Sequence, residues 1–325
     1  MSLETRSLSV AYGTTRAVRD VSLDVSRGER FAIMGPSGSG KSTMLRAIAG
    51  LIRIDSGTIA IDGEDMTGTP AHRRPVGLMF QDYALFPHMT VAENVAYGLR
   101  MAGVSSRERQ LRSLELLSLV GLDGFANRMP TTLSGGEQQR VALARTLAPA
   151  PSVVLLDEPL GSLDVSLRES LLTETRSILA SVGATSMYVT HDRSEAFAFC
   201  DRMAIMYNGE ILRVGAPDEI WHQPRSEFVA KAIGQSNLVP LDVIEPGRAG
   251  LCFVPPDACE MHMDGLLTGI VGSSRFEDGA HIVTVGLSDG TAQLEMSTPQ
   301  RATTGSTVRF DVDNDRVIVV SADEV

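Results

Sequence analysis

The chain has little of several features that mark particular classes of protein. Its 325 residues include three cysteines, Cys200, Cys252 and Cys259, whose spacing fits neither a disulfide framework nor a metal site, so we expect free thiols. No uninterrupted apolar run reaches the length of about 18 residues that a membrane span needs. The net charge of −11 disfavours nucleic acid as the main partner. Residues 1–10 lack a signal-peptide pattern, so we expect the chain to stay in the cytoplasm.

Lysine is also scarce. Two lysines, Lys41 and Lys231, stand against 27 arginines, so a lysine within a glycine-rich loop is hard to dismiss as general surface charge. Hydrophobic residues make up 43% of the chain and charged residues 21%, as in a folded globular protein. The length suggests two domains. Residues 237–325 carry 14 acidic and 5 basic residues, and this shift in charge predicts a domain boundary near residue 237.

The hydrophobic pattern before residue 237 alternates between strand and helix periods, which predicts an α/β fold. The expected strands are a pair around the turn at 12–14 and single strands at 31–34, 57–62, 153–156, 185–190, 204–206 and 211–214. The expected helices lie near 44–51, within 91–147, and at 165–180, 193–199 and 218–233. Within the second of these regions, one apolar helix face is predicted at Leu111, Leu114, Leu117 and Val120.

The residue composition changes beyond residue 235. The runs 281–285, 307–312 and 317–320 are rich in β-branched residues, and Gly and Pro interrupt the sequence about every ten residues. These features predict a small all-β barrel or sandwich.

The segment Gly35–Ser42 has the pattern G-x-x-x-x-G-K-[ST], and it stands between an expected strand and an expected helix. Its glycines let backbone N–H groups face a triphosphate, while Lys41 adds a positive charge for the β- and γ-phosphates. The Ser42 hydroxyl can bind Mg²⁺. The expected ATP-binding residues of this loop are Gly35, Pro36, Ser37, Gly38, Ser39, Gly40, Lys41, Ser42 and Thr43.

Two acidic residues, Asp157 and Glu158, directly follow the apolar strand expected at 153–156. At the end of such a strand, Asp157 can hold Mg²⁺ directly or through water. Glu158 can orient or deprotonate an attacking water. The alternative is that the pair only caps the following helix.

A second glycine-rich segment, Leu133–Arg140, has the sequence LSGGEQQR. Ser134 and Glu137 have the spacing of a capping box, which opens a helix, and a Gly-Gly pair at a helix N-terminus is also suited to anions. The segment resembles the signature sequence of ABC-transporter ATPases, and it precedes the strand that ends in Asp157 and Glu158, as in that family.

The resemblance covers roughly residues 3–235 and implies a fold. It implies a P-loop NTPase domain over 1–236, with a helical subdomain at about 88–150, followed by a small OB-like (TOBE) β domain over 237–325. It also implies the reaction, hydrolysis of ATP to ADP and phosphate with Mg²⁺.

The resemblance further implies roles for single residues. Tyr12 matches the aromatic residue that stacks on adenine, and Gln81 matches the glutamine that contacts Mg²⁺ and the attacking water. Asp164 matches a loop that crosses the dimer interface, and His191 matches the histidine that contacts the γ-phosphate. The signature residues cover ATP held by a partner domain, which implies a homodimer or a pair with a homologue; here they are Ser134, Gly135, Gly136 and Gln138.

Within the family, the sequence favours an importer motor bound at the cytoplasmic face of the membrane. The apolar segment 83–91, interrupted by Pro87, matches the region that receives a permease in similar importers, although it can also be plain core. A permease, and indirectly an extracytoplasmic solute-binding protein, are then the expected partners. The expected solute is ferric iron, then polyamine or thiamine, then sulfate or phosphonate.

Two other functions stay open at this point. One is a non-transport ABC ATPase of repair or translation, although the chain has no CxxC pair and no second phosphate loop. The other is the motor of an exporter, although no membrane span is fused to it.

Overall fold

The fold is an α/β unit followed by a β-rich unit. The computed structural model describes residues 1–161, 165–287, 290 and 292–320, with the backbone alone at 165 and 166. The chain divides into two compact units, Met1–Pro217 and Asp218–Val325. The domain boundary predicted near residue 237 from the shift in charge stays a prediction.

Ten strands and six helices make up the first unit among the described residues. The strands are β1 (Leu3–Tyr12), β2 (Thr15–Val25), β3 (Arg30–Met34), β4 (Ser56–Ile61), β5 (Glu64–Asp65), β6 (Val76–Met79), β7 (Val153–Asp157), β8 (Thr185–Thr190), β9 (Arg202–Tyr207) and β10 (Glu210–Gly215). The helices are α1 (Lys41–Ile48), α2 (Val91–Met101), α3 (Ser106–Leu119), α4 (Gly135–Leu147), α5 (Val165–Ser181) and α6 (Arg193–Phe199).

These strands form two sheets. A four-stranded antiparallel sheet has the order β2-β1-β4-β5. A six-stranded sheet has the order β10-β9-β3-β8-β7-β6, in which β10 is antiparallel to β9 and the other neighbours are parallel. Strands β7 and β8 are buried along their whole length, because a parallel sheet is covered on both faces.

The β9–β10 connection, between the strands predicted at 204–206 and 211–214, is a two-residue hairpin. Asn208 and Gly209 both have positive φ, at 47° and 87°. Two successive positive φ angles give the turn a twist that matches its flanking strands. The Asn-Gly pair is therefore the local cause of this antiparallel edge.

Three helices between β6 and β7 begin with the same device. Each of α2, α3 and α4 has a capping box, in which a hydroxyl and a glutamate three residues later bind each other's backbone N–H. The pairs are Thr90 with Glu93, Ser105 with Glu108, and Ser134 with Glu137. These helices occupy the range expected for a helical subdomain.

The apolar face predicted for α3 is only half right. Leu117 and Val120 are buried, but Leu111 and Leu114 are 54% and 47% exposed. Ser113 is buried in their place, because its hydroxyl donates to the carbonyl of Arg109 at 2.8 Å and is thereby satisfied. The packed face is therefore rotated relative to the leucine spacing.

Two short helices follow: α7 (Pro217–His222), which starts at the last residue of the first unit, and α8 (Glu227–Ala232). The single helix expected over 218–233 is thus interrupted. Pro224 lacks an N–H and disfavours helix before it, Arg225 has a φ of 66°, and Ser226 caps α8 by accepting from the N–H of Val229.

The rest of the second unit is β-structure, as predicted. Its strands are β11 (Leu238–Pro240), β12 (Leu251–Phe253), β13 (Cys259–Met261), β14 (Leu267–Glu277), β15 (Ala280–Leu287), β16 (Gln293–Thr298), β17 (Thr307–Val312) and β18 (Ile318–Val320). They pair as sheets of order β11-β12-β18 and β13-β17-β14-β15-β16. One apolar cluster contains buried residues of both sheets, among them Val239, Val283 and Phe310.

The three cysteines are free and buried, as expected. Burial raises the pKa of the Cys200 and Cys259 thiols to about 12 and that of Cys252 to about 11. Among the described residues, no helix has the length and apolarity needed to cross a membrane.

Helix α1 is closed at its C-terminal end by a buried arginine. Arg74 is 8% exposed and donates to the carbonyls of Ala47 and Ile48 at 3.0 and 2.7 Å. It also donates to the carbonyls of Thr67 and Thr69. Burial lowers the pKa of the Arg74 guanidinium. Its charge is thus held by four carbonyl dipoles.

We predict that Arg74→Met destabilises the first unit by about 2–4 kcal/mol, because buried carbonyls lose their donor. Urea unfolding followed by circular dichroism measures this effect. The control is Arg73→Met at the adjacent exposed position, which should change stability by less than about 0.5 kcal/mol. Equal unfolding midpoints for the two variants would contradict the structural role of Arg74.

Candidate nucleotide-binding and hydrolysis site

The predicted site residues follow neighbouring parallel strands. Register pairs Met34 of β3 with Thr190 of β8, Val189 of β8 with Asp157 of β7, and Leu156 of β7 with Met79 of β6. The carboxyl ends of the four strands therefore lie at one edge of the sheet, where ligands of open α/β sheets bind.

The loop after β3 is shaped by its glycines. A Cβ on Gly35 would lie 2.1 Å from the carbonyl oxygen of Met206, and one on Gly40 would lie 2.1 Å from that of Ala17. Gly40 also has a φ of 105°, which side chains rarely tolerate. No side chain caps the N-terminus of α1, so its first N–H groups face outward and suit an anion.

Lys41 is held within this loop. Its side chain is buried, and Nζ donates to the carbonyls of Gly35 and Pro36 at 2.8 and 2.9 Å. Burial lowers the pKa of Lys41, and the negative charges of Glu158 and Asp157 oppose that shift. The only lysine of the first unit thus lies in the field of both predicted acidic residues.

Ser42 and Asp157 are in direct contact. The Ser42 hydroxyl donates to Oδ1 of Asp157 at 2.7 Å, and Arg46 lies 3.7 Å from Oδ2 of the same carboxylate. These residues line an open cleft of about 550 Å³; its other lining residues are Phe80, Gln81, Asp82 and Glu158. A hydroxyl and a carboxylate are hard oxygen donors of the kind that Mg²⁺ takes together with substrate phosphates, so this pair fits the expected metal.

Glu158 lies close to the other two predicted catalytic residues, His191 and Gln81. Its Oε2 lies 3.3 Å from Nδ1 of His191. Gln81 is close on another side, because a Cβ on Gly161 would lie 3.1 Å from Nε2 of Gln81 and 3.8 Å from Oε2 of Glu158. Glu158 also has a φ of 45°, a strained conformation that clusters at functional sites.

A buried hydrogen-bond network fixes the backbone on both sides of His191. Glu195 is 7% exposed, and its Oε2 accepts from the hydroxyls of Tyr188 and Thr190 at 2.9 and 2.7 Å. The Thr190 hydroxyl in turn accepts from the N–H of Asp192, which caps α6. Burial, reinforced by Glu195, raises the pKa of Tyr188 well above its ordinary value.

The signature residues form a second, separate group at the start of α4. Ser134 and Gly135 are exposed, whereas Gly136 is buried and a Cβ there would lie 3.3 Å from Leu171. The Gln138 amide donates to the carbonyls of Pro130 and Leu133. Among the contacts of the described residues, none joins this group to the phosphate loop.

Two predicted residues lie outside these groups. Tyr12 ends β1, and its side chain is 53% exposed, so one ring face is accessible for stacking. Asp164 lies outside the described residues.

The apolar segment after Gln81 is not plain core. Tyr83 is buried, but Pro87 and His88 are exposed, and Phe86 and Met89 are half-buried. The segment therefore presents a partly apolar surface next to the predicted catalytic glutamine.

Sequence reasoning missed two contributors to the site. Arg46 stands four residues after Ser42, so helical spacing alone places it on the same face of α1 as the Ser42 hydroxyl. Glu195 stands four residues after His191, but no local signal distinguishes it from a surface acid. Its network becomes visible only in the fold.

Comparisons with known proteins show the family to which the chain belongs. A family model described as ABC transporter matches residues 18–161. The Fe(3+) ions import ATP-binding protein of Streptomyces coelicolor is 42% identical, over 100% of this chain and 98% of that protein. The spermidine/putrescine import ATP-binding protein of Thermotoga maritima is 46% identical, over 74% of this chain and 65% of that protein.

A solved structure is also similar to the chain. It is a dimeric ATP-binding cassette in a post-hydrolysis state, bound to ADP and Pi. It matches with a TM-score of 0.58 and 34% identity, over 66% of this chain and 98% of that one. With the phosphate loop and the signature segment both in place, the chain belongs to the ABC transporter family and is an ATP-binding subunit of the importer type, an ATPase that powers solute uptake.

Proposed function

We propose that this chain hydrolyses MgATP at the carboxyl edge of its six-stranded sheet and thereby drives ferric iron through a separate membrane permease. The observation that carries the hydrolysis site is the contact of Glu158 with His191 at 3.3 Å, beside the Ser42–Asp157 pair. Two relatives named for Fe(3+) import support the substrate, one over the full chain and one that is 52% identical over 74% of it.

The phosphate loop binds the triphosphate. The uncapped N–H groups of α1 donate to phosphate oxygens, and Lys41 places its ammonium among them. Ser42 and Asp157 would hold Mg²⁺, with Gln81 as a third oxygen donor. When bound, Mg²⁺ neutralises charge on the β- and γ-phosphates.

Glu158 acts on the water that attacks the γ-phosphate. Its carboxylate accepts the proton of that water, while Gln81, which lines the same cleft, orients the water. His191 contacts the γ-phosphate and is held by the network around Glu195. Tyr12 stacks on the adenine ring.

The site is completed by a second copy of the chain. Among the contacts of the described residues, none joins Ser134, Gly135, Gly136 or Gln138 to the phosphate loop of their own chain, which leaves them for the ATP of a partner. We assign Asp164 to the same interface from its match to the family loop. A closed twofold pair uses the same surface on both copies, and this makes a homodimer the simplest assembly. The similarity to a dimeric cassette supports this arrangement.

The proposed location is the cytoplasmic face of the membrane, where the segment 83–91 meets the permease. An extracytoplasmic solute-binding protein delivers the substrate to that permease.

The C-terminal β unit corresponds to the OB-like (TOBE) domain expected at 237–325. Polyamine uptake is the second candidate, because three relatives named for spermidine/putrescine import are 46–49% identical over 74–81% of this chain.

Glu158→Gln should bind ATP but lose about 10²–10⁴ in turnover, because an amide cannot accept the proton. ATP binding by fluorescence and phosphate release on the same preparation measure the two effects. Hydrolysis at the wild-type rate would remove Glu158 from its role as base.

Ser134→Arg should abolish hydrolysis while ATP binding to the monomer stays near normal, because Ser134 serves the site of the partner. Mixing this variant with Glu158→Gln is the discriminating measurement. If Glu158 and Ser134 of different chains form one site, a mixed dimer has one site in which both residues are intact. If both residues act within one chain, each of the two sites lacks one of them. Loss of ATP binding by the Ser134→Arg monomer would contradict the trans arrangement.

Substrate is tested in cells that lack the endogenous gene for this chain. We expect radiolabelled ferric iron uptake to return with the wild-type chain and not with Glu158→Gln. Labelled spermidine uptake is measured in the same cells.

A pull-down from detergent-solubilised membranes should recover a multi-span permease. Restored spermidine uptake alone would replace iron with polyamine, and recovery of soluble partners alone would contradict the importer.

A further inference from the structure

The turn that follows Gln81 has an unusual backbone. Tyr83 and Ala84 are consecutive non-glycine residues with positive φ, at 59° and 45°. The N–H of Ala84 donates to the carbonyl of Asp82 at 2.7 Å, which closes a three-residue turn around Tyr83. Such a turn with a positive central φ is the rarer and more strained of its two hands. A second bond, from the N–H of Tyr83 to the carbonyl of Phe80 at 3.0 Å, encloses Gln81.

One side chain holds both strained residues. Arg145, in the last turn of α4, donates through one terminal nitrogen to the carbonyl of Ala84 at 2.7 Å. The other terminal nitrogen donates to the carbonyl of Tyr83 at 2.6 Å. The guanidinium also lies over the ring of Phe86, 5.5 Å from its centroid. Burial lowers the pKa of Arg145, and nearby Asp82 opposes that shift.

The segment beyond the turn is braced from α2. Asn94 is fully buried, and its Oδ1 accepts from the N–H of Phe86 at 2.8 Å. Its amide donates to the carbonyls of Phe86, Met89 and Thr90 at 3.0–3.1 Å. The segment 86–90 is therefore hydrogen-bonded to α2 through Asn94, and the turn at 83–84 connects it to Gln81.

We propose that Arg145 is a positioning residue: it holds the strained turn at Tyr83–Ala84, and so fixes Gln81 and the segment 86–90 to the helix that begins with the signature. The fork geometry of a guanidinium suits two carbonyls at once, which a lysine cannot match. Helix α4 thus has Ser134 as its N-cap, and its last turn holds the arginine that supports Gln81. A movement of the signature helix is transmitted to the turn through two hydrogen bonds.

The test separates positioning from general stability. Arg145→Lys keeps the charge but loses the fork. We expect amide exchange at residues 80–86 of the full chain to become about tenfold faster, while exchange in β7 and β8 is unchanged. We expect kcat for ATP to fall about 10- to 100-fold with KM nearly unchanged, because the phosphate loop is not altered.

A second substitution tests the strain itself. Ala84 is exposed, so Ala84→Gly removes the penalty of a positive φ without removing packing. In the Arg145→Lys background it should restore most of the exchange protection and of kcat. The matched control is Ala150→Gly, since Ala150 is also an exposed alanine with positive φ, at 52°, and makes no bond to Arg145. It should restore neither quantity.

Several results would overturn the proposal. They are unchanged exchange at 80–86 in Arg145→Lys, equal rescue by the two glycine substitutions, and rescue by neither. If Arg145→Lys alone does not fold, recovery of folded protein by Ala84→Gly but not by Ala150→Gly supports the proposal, and equal behaviour of the two contradicts it. The kinetic readout rests on the proposed role of Gln81. Faster exchange with a normal kcat would keep Arg145 as the support of the turn and remove Gln81 from catalysis.

Discussion

The parallel pairing of four strands is the constraint on which the site depends. β3, β8, β7 and β6 are neighbours in one sheet, and their register brings four segments of very different sequence position to one edge. The phosphate loop, the acidic pair, the histidine and the glutamine each need only follow directly on a strand. A slip of one residue in any pairing would turn the side chains that follow it to the other face. The fully buried strands β7 and β8 fix that register through packing on both sides.

Local signals in the sequence predict much of this arrangement. The strand at 185–190 and the helix at 193–199 have the predicted bounds, and Asp192 caps the start of the helix by accepting from two backbone N–H groups. The glycine loop, the capping box at Ser134 and the Asn-Gly hairpin are similarly determined by neighbours in the chain. In each case a few consecutive residues determine the local structure.

What the sequence could not predict depends on contacts between distant segments. The buried face of α3 includes Ser113 and excludes Leu111, and only the packing of α3 against its neighbours decides that exchange. The four carbonyls around Arg74 belong to two separate segments, so the chain order gives no hint of them. The positive φ of Glu158 and of Tyr83 has the same origin, since neither residue type favours it. Strain of this kind persists only where the surrounding fold outweighs it.

The bonds of Lys41 have a consequence for the exchange of nucleotide. A buried ammonium without partners costs far more than one that is hydrogen-bonded. Here the carbonyls of Gly35 and Pro36 satisfy it, so the loop supplies acceptors for its own lysine. A phosphate that displaces these carbonyls exchanges one set of oxygen acceptors for another, and a departing product leaves the first set to take the ammonium back. Nucleotide exchange of this kind does not require a state that isolates a buried charge.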